Sequence, residues 1–239
     1  MLIVMINMKN KLLVYVAIIV CISLFFYLYI LDSNAKEAFS SKLSSYRVQE
    51  IENILTPLEC DEMIAYAKKK GMSDSDVLSY GSKKDTVVDT SNRRSKTAWL
   101  KDADHPLAMK LALLSEKLTG LPQNTQEMLQ VAYYEPGGKF NDHYDACNES
   151  NKEYCDKMNH HAGQRRSTLL IYLNDTFEGG ETVFPKINKV ITPKKGNGIL
   201  FWNTTPDEVI IPESMHRGNP VIGGEKWICT KWSHVKPYL

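Results

Sequence analysis

The chain has 239 residues, 43% of them hydrophobic and 24% charged, enough for one domain with a full apolar core and an appendage. Its 29 basic and 28 acidic residues leave a formal charge of +1 with no long basic run, which gives no electrostatic footprint for nucleic acid. The sequence shows no internal repeat, and nothing in it sets an oligomeric state.

Residues 1–11 precede Leu12 to Leu31 (LLVYVAIIVCISLFFYLYIL), twenty residues without a charge and long enough to span a bilayer. A cleaved signal peptide is the rival reading, but such a segment is shorter and ends in small residues, whereas this one ends Phe-Phe-Tyr-Leu-Tyr-Ile-Leu-Asp. Lys9 and Lys11 lie before the span and Asp32 after it, so the positive-inside rule keeps the N-terminus cytoplasmic. The expectation is a single-pass type II membrane protein, with the rest of the chain in a lumen such as that of the endoplasmic reticulum. Residues 32–45, small and polar from Ser33 to Ser45, read as a stem, and residues 46–239 as the folded domain.

Thr56-Pro57-Leu58-Glu59 predicts a helix start with a capping box and proline at the first helical position, and Gly71 its stop. A second helix is expected from Pro106 to Gly120, with Leu107, Leu111, Leu114 and Leu118 on one face. Between the two, Val77 to Lys96 is polar and too long for a turn, and is read as a flap. Strands are expected at Met128–Tyr134, Thr168–Leu173, Glu181–Phe184, Gly198–Trp202, Glu208–Ile211 and Lys226–Trp232, separated by glycine-rich turns. The pattern predicts an all-β core with flanking helices, a sandwich or jelly-roll barrel.

Cys147 and Cys155, eight apart, either close a disulfide loop in an oxidising lumen or stay as free thiols. A zinc site built from them with His160 and His161 fits no regular finger spacing. Sequons at Asn148, Asn174 and Asn203 are permissive for glycosylation in a lumen.

His143-Tyr144-Asp145 follows a Gly-Gly turn, and in extended chain its first and third side chains point the same way. His216 comes 71 residues after Asp145, beyond several strands. Two imidazoles and one carboxylate bind a metal on one face and leave the other open, the pattern of non-haem Fe(II) oxygenases. Alone, His-x-Asp is a weak signal. Lys226, ten residues after His216 at the head of the apolar run KWICTKW, strengthens it, because a lysine facing inward there is costly unless it meets an anion such as a dicarboxylate.

Leu129 to Ala146 (LQVAYYEPGGKFNDHYDA), Gly163 to Pro185 (GQRRSTLLIYLNDTFEGGETVFP), Gly196 to Asn203 (GNGILFWN) and Met215 to Val235 (MHRGNPVIGGEKWICTKWSHV) together resemble the catalytic domain of prolyl 4-hydroxylases, most of all the compact plant, algal and viral forms. The resemblance implies a double-stranded β-helix (jelly roll) with Fe(II) on His143, Asp145 and His216. It implies a 2-oxoglutarate pocket with Lys226 on the distal carboxylate, Tyr134 and Thr182 offering hydroxyls, and Trp232 as a wall. It implies peptide contacts from Arg93, Ser95, Glu127, Arg165 and His234, with Arg94 beside Arg93 as a rival, and Phe140 standing where tyrosine is frequent. The activity it implies is C4 hydroxylation of peptidyl proline in proline-rich or collagen-like substrates, coupled to conversion of 2-oxoglutarate and O2 to succinate and CO2, with L-ascorbate keeping the iron reduced. A lysyl or small-molecule substrate, and a silent membrane-tethered binding module, are the competing readings; the intact triad and Lys226 speak against the second.

Overall fold

In a computed structural model, residues 48–78, 86–148 and 152–238 are described, and they belong to one compact unit beginning at Val48. The expected membrane span, the stem and the domain start at Tyr46 lie outside the described residues. Among the described residues no helix is long and apolar enough to cross a membrane.

The elements in chain order are β1 (Gln49–Ile51), α1 (Pro57–Lys70), β2 (Ser73–Asp74), β3 (Val77–Leu78), β4 (Thr86–Val87), β5 (Arg93–Arg94), β6 (Lys96–Leu100), α2 (Pro106–Thr119), β7 (Leu129–Tyr134) and β8 (Lys139–His143). They continue with α3 (Lys152–Met158), β9 (Arg165–Tyr172), β10 (Phe177–Gly179), β11 (Thr182–Phe184), β12 (Lys189–Ile191), β13 (Gly198–Trp202), β14 (His216–Gly218), β15 (Val221–Gly224) and β16 (Lys226–His234). A seven-stranded sheet runs β1-β13-β9-β16-β7-β6-β2 and a five-stranded sheet runs β12-β11-β14-β8-β5. This mostly β core with few helices is consistent with a jelly roll.

The two helices expected from the sequence, α1 and α2, start and stop as it dictates. Thr56 Oγ1 accepts from Glu59 N while Glu59 Oε2 accepts from Thr56 N, a capping box, and Gly71 ends α1. Gly120, left-handed at φ 71°, ends α2.

Period-2 alternation in the long strands divides the core into two layers. Leu169 and Ile171 of β9, Leu129 and Val131 of β7, and Trp227 and Cys229 of β16 pack with α1 and α2. Leu170, Tyr172, Ala132, Tyr134 and Ile228, one residue out of phase, pack with Phe184 and Ile191 of the smaller sheet. Burying such side chains contributes about 1.5–3 kcal/mol each, so the register is strongly fixed.

Three expectations need correction. Glu208–Ile211 is not a strand: a lone bridge joins Thr204 to Ile210, and Glu208 is left-handed at φ 63°. The run lies between Pro206 and Pro212, and Val209 is exposed with no neighbouring strand to cover it. The segment read as a flap is strand at its end: β5 pairs with β8 and β6 with β7, while β3 and β4 form a two-stranded ribbon. The alternation in Lys96-Thr97-Ala98-Trp99-Leu100 buries Ala98 and Leu100 in the helix-side core, which holds this stretch in the large sheet. Asn203 is fully buried and so closed to glycosylation in the folded chain, and both polar atoms of the Asn174 amide are bonded, to Glu225 O and Trp227 N.

Cys147 and Cys155 form a disulfide, which consumes both sulfurs and removes the zinc alternative. His161 faces Asp156 and His160 contacts Tyr238 instead.

Candidate active site

Strand pairing assembles the site. His216 of β14 stands directly opposite His143 of β8, and Asp145 follows two residues past the strand end. One ligand atom from each of the three lies within 4.8 Å of the others. His143 Nε2 is 3.7 Å from Asp145 Oδ1 and His216 Nε2 is 3.9 Å from Asp145 Oδ2, too far for hydrogen bonds and suited to a shared ion.

The donor set fits a divalent metal in orientation as well as in position. His143 Nδ1 faces Asn141 O at 2.7 Å and His216 Nδ1 faces Ser214 O at 2.9 Å. Because a carbonyl only accepts, each Nδ1 carries a hydrogen, which leaves Nε2 as the ring atom turned towards the ligand cluster. Burial pushes the His143 imidazole down to about 3, which keeps it neutral. Burial alone would raise the Asp145 carboxyl, but His216, His143, Arg165 and the Thr168 hydroxyl hold it below the usual carboxylate range. Two neutral imidazoles and one carboxylate are the form that binds iron(II).

Lys226 begins β16 opposite Tyr134 of β7, and Thr182 of β11 is opposite Gly218 of β14. All three residues line a cavity of about 50 Å³ that also contains the triad. Lys226 is only 3% exposed, and its Nζ donates to Gly180 O at 2.7 Å. Gly180, at φ 69°, leaves room for this side chain: a Cβ there would sit 3.2 Å from Lys226 Cδ and 2.9 Å from Phe177 Cε2. Burial pushes the Lys226 ammonium down to about 8. Lys231, also buried in β16, points the other way and pairs with Asp102 Oδ1 at 2.5 Å. Of these two buried lysines, the one in the metal cavity is bonded to a carbonyl rather than a carboxylate, as expected of a ligand-binding cation.

The cavity shares Arg93, Phe140, His143, Asp145 and Trp232 with a groove of about 450 Å³ that Trp99, Asp142 and Arg165 also line. Arg93 is the buried member of its pair and bonds Gln130 Oε1 at 2.9 Å, whereas Arg94 is exposed and pairs with Glu135. The Arg165 guanidinium lies 4.0 Å over the Trp232 ring. Ser95, Glu127 and His234 stand behind this wall. Ser95 Oγ accepts from Arg93 Nε and bonds Ser75, while Glu127 grips Arg165 through two nitrogens and faces His234 Nε2 at 2.9 Å. Arg165 and His234 hold the buried Glu127 carboxyl at about 2, against the upward push of burial.

Gln130, Thr168, Tyr172 and Asn203 escaped the sequence reading. Thr168 donates to Asp145 Oδ2 at 2.6 Å, Asn203 Nδ2 donates to Thr168 Oγ1 at 2.8 Å, and the Tyr172 hydroxyl bonds Thr182 Oγ1 at 2.8 Å. The available signal was a polar residue at an inward position of an apolar strand.

A family profile described as the 2OG-Fe(II) oxygenase superfamily matches residues 129–234, the stretch holding the triad and Lys226. The chain is 35% identical over 214 residues to probable prolyl 4-hydroxylase 3 of Arabidopsis thaliana, covering 78% of this chain and 68% of that protein. The chain belongs to the prolyl 4-hydroxylase family. It is also 32% identical over 189 residues to a putative prolyl 4-hydroxylase of Acanthamoeba polyphaga mimivirus, covering 79% and 74% of the two chains. The 2-oxoglutarate complex of a viral collagen prolyl hydroxylase from Paramecium Bursaria Chlorella virus-1 superposes with a TM-score of 0.61 at 30% identity, covering 77% of this chain and 94% of that one. This prolyl 4-hydroxylase family member is an Fe(II)- and 2-oxoglutarate-dependent dioxygenase.

Proposed function

We propose that the protein hydroxylates C4 of peptidyl proline in proline-rich or collagen-like chains, from a lumenal domain tethered by residues 12–31. The observation that carries the reading is the cavity that joins three metal-ligating side chains to a buried ammonium and shares its lining with a groove of about 450 Å³. The relatives named as prolyl 4-hydroxylases support proline as the target.

Iron(II) with 2-oxoglutarate and O2 supplies the oxidation, in which one oxygen atom enters the substrate C–H bond and the other enters succinate, with release of CO2. The protein binds, orients and keeps water out. His143, Asp145 and His216 would hold the metal, and Lys226 would pair with the distal carboxylate of 2-oxoglutarate, with hydroxyls from Tyr134 and Thr182. Leu170, Ile228 and Trp232 wall the cavity with apolar surface, which strengthens the Lys226 pairing. Arg93 and Arg165 offer donors at the groove to carbonyls of an extended, proline-rich chain, whose backbone lacks internal hydrogen bonds. Ser95, Glu127 and His234 serve the same peptide contact from behind by fixing the two guanidinium groups. L-ascorbate would restore iron oxidised in uncoupled cycles.

The uncharged segment and the Lys9, Lys11 and Asp32 asymmetry support the tether, and a Cys147–Cys155 disulfide suits an oxidising compartment such as the endoplasmic reticulum lumen. The deciding experiment incubates the iron-loaded protein with proline-rich, lysine-containing and proline-free peptides, reading succinate and a hydroxyl-sized mass gain by fragmentation. Gain localised to proline, with succinate formed only when such a peptide is present, is the expected result. Equal succinate with and without proline peptides overturns the assignment.

A further inference from the structure

Asp145 is the only carboxylate in the metal triad, and its two oxygens are not equivalent. Oδ2 accepts from Thr168 Oγ1 at 2.6 Å, and Thr168 Oγ1 in turn accepts from Asn203 Nδ2 at 2.8 Å. The direction of this chain is fixed by its chemistry. An ionised carboxylate only accepts, so Thr168 must spend its one hydrogen on Asp145 and can meet Asn203 only as an acceptor. The amide nitrogen of Asn203 is therefore the atom facing Thr168; turned over, its oxygen would meet a hydroxyl with no hydrogen left to give.

The strands hold this chain rigidly. Thr168 is 1% exposed in the middle of β9, opposite Phe201 of β13 on one side and Trp232 of β16 on the other. Asn203 is fully buried at the end of β13; its own N donates to Arg166 O, and its O accepts from Ile211 N at 2.9 Å. Its side-chain oxygen has no protein partner among the described residues, a cost of about 1–3 kcal/mol in an ordinary core. The same Asn203 anchors the segment ahead of His216: Ser214 Oγ bonds Ile211 O at 2.7 Å, and Ser214 O accepts from His216 Nδ1 at 2.9 Å. One buried residue thus lies behind two of the three ligands, its side-chain nitrogen towards Asp145 and its backbone carbonyl towards the segment ahead of His216.

We infer that Thr168, backed by Asn203, is a positioning residue that locks the rotation of the Asp145 carboxylate and so sets the affinity and geometry of the metal site. The physical basis is that a free aspartate rotates about two bonds and must be ordered when metal binds, whereas a carboxylate already clamped at Oδ2 meets the metal without that entropy loss. A clamp on Oδ2 also occupies one of its lone pairs, so Asp145 would hold a metal more readily through one oxygen than through two. The inference rests on Asp145 being a metal ligand, so the test separates the two.

Metal-free protein is titrated with Co(II), reading calorimetric affinity and the visible absorption that reports coordination number, in parallel with the melting temperature of the metal-free form. Thr168→Val, nearly identical in shape, is expected to bind Co(II) about 10–100-fold more weakly and with an altered spectrum, while Thr168→Ser stays within about twofold of the parent. Should valine impair folding, Thr168→Ala against Thr168→Ser asks the same question, since those two differ only by the hydroxyl. Parent-like affinity and spectrum in the variant lacking the hydroxyl overturn the inference. Loss of Co(II) binding in Asp145→Ala with parent-like binding in Thr168→Val would refute the positioning role alone. Undiminished binding in Asp145→Ala would remove the metal-site reading beneath it.

Discussion

Replacing Lys226 by methionine isolates what its charge contributes. Methionine fills a similar volume without the ammonium, so packing against Gly180 and Phe177 is largely kept. On the proposed role, the ammonium and a distal carboxylate would form a buried charged pair, and removing one member of such a pair costs about 3–5 kcal/mol. At about 1.4 kcal/mol per tenfold, affinity for 2-oxoglutarate falls by roughly two to three and a half orders of magnitude. Stability moves differently. A lysine that burial has pushed down to about 8 is a burden on the unliganded fold, so the methionine variant melts at the parent temperature or above it. The same value sets a pH dependence: above about 8 the unliganded lysine is neutral and must take up a proton to bind the dianion, so parent affinity drops as pH rises past 8 and the methionine variant loses that slope. The assay is calorimetric titration of Mn(II)-loaded protein with 2-oxoglutarate under anaerobic conditions from pH 6.5 to 9.5. Binding by Lys226→Met within about threefold of the parent would refute the reasoning, since that is under 1 kcal/mol.

Glu127→Gln breaks a buried ion pair with Arg165 and His234 and should cost about 3–5 kcal/mol, lowering the thermal midpoint by roughly 10 °C. Because the Glu127 carboxyl is depressed to about 2, its contribution is complete above the ordinary glutamate value of 4.5 and is lost as pH falls towards 2, so the parent's stability gap over Glu127→Gln closes in acid denaturation curves. Cys147→Ser opens a loop whose cysteines are eight apart and should lower stability by about 2–3 kcal/mol in urea unfolding, as dithiothreitol should in the parent. Tyr172→Phe removes the hydroxyl that bonds Thr182 and should raise the KM for 2-oxoglutarate by about three- to tenfold while leaving metal affinity unchanged, read by steady-state kinetics and Co(II) titration. Deletion of residues 1–45 should move the protein from the membrane pellet to the supernatant with its 2-oxoglutarate turnover retained, as read by sedimentation and succinate release.

The helix ends, the long central strands and the His143–Asp145 pair are local properties of the sequence. A capping box, a terminal glycine and period-2 alternation each act over a few residues, so Thr56, Gly71, β7, β13 and β16 are legible without a fold. His143 and Asp145 are legible for the same reason: a dipeptide spacing sets which way both side chains point. His216 and Lys226 came from motif order, and the strand pairings that bring them to the triad, His216 beside His143 and Lys226 beside Tyr134, are tertiary facts.

Glu208–Ile211 fails as a strand because a strand is made by its partner, and among the described residues its pairing stops at one bridge, Ile210 to Thr204. The fate of the polar segment from Val77 to Lys96 was likewise set at a distance, by β7 and β8, which capture its end as β6 and β5. The sharpest division is among the polar residues. The resemblance offered Arg165, Glu127 and His234 alike as peptide contacts, but only the folded chain puts Arg165 on the groove, with Glu127 bonded to it and His234 facing Glu127 from behind. Thr168 and Asn203 lie 35 residues apart, and a hydrogen bond between them exists only once two strands pair. Directional contacts across long sequence separations have no local signature, because their free energy depends on geometry that the whole sheet creates.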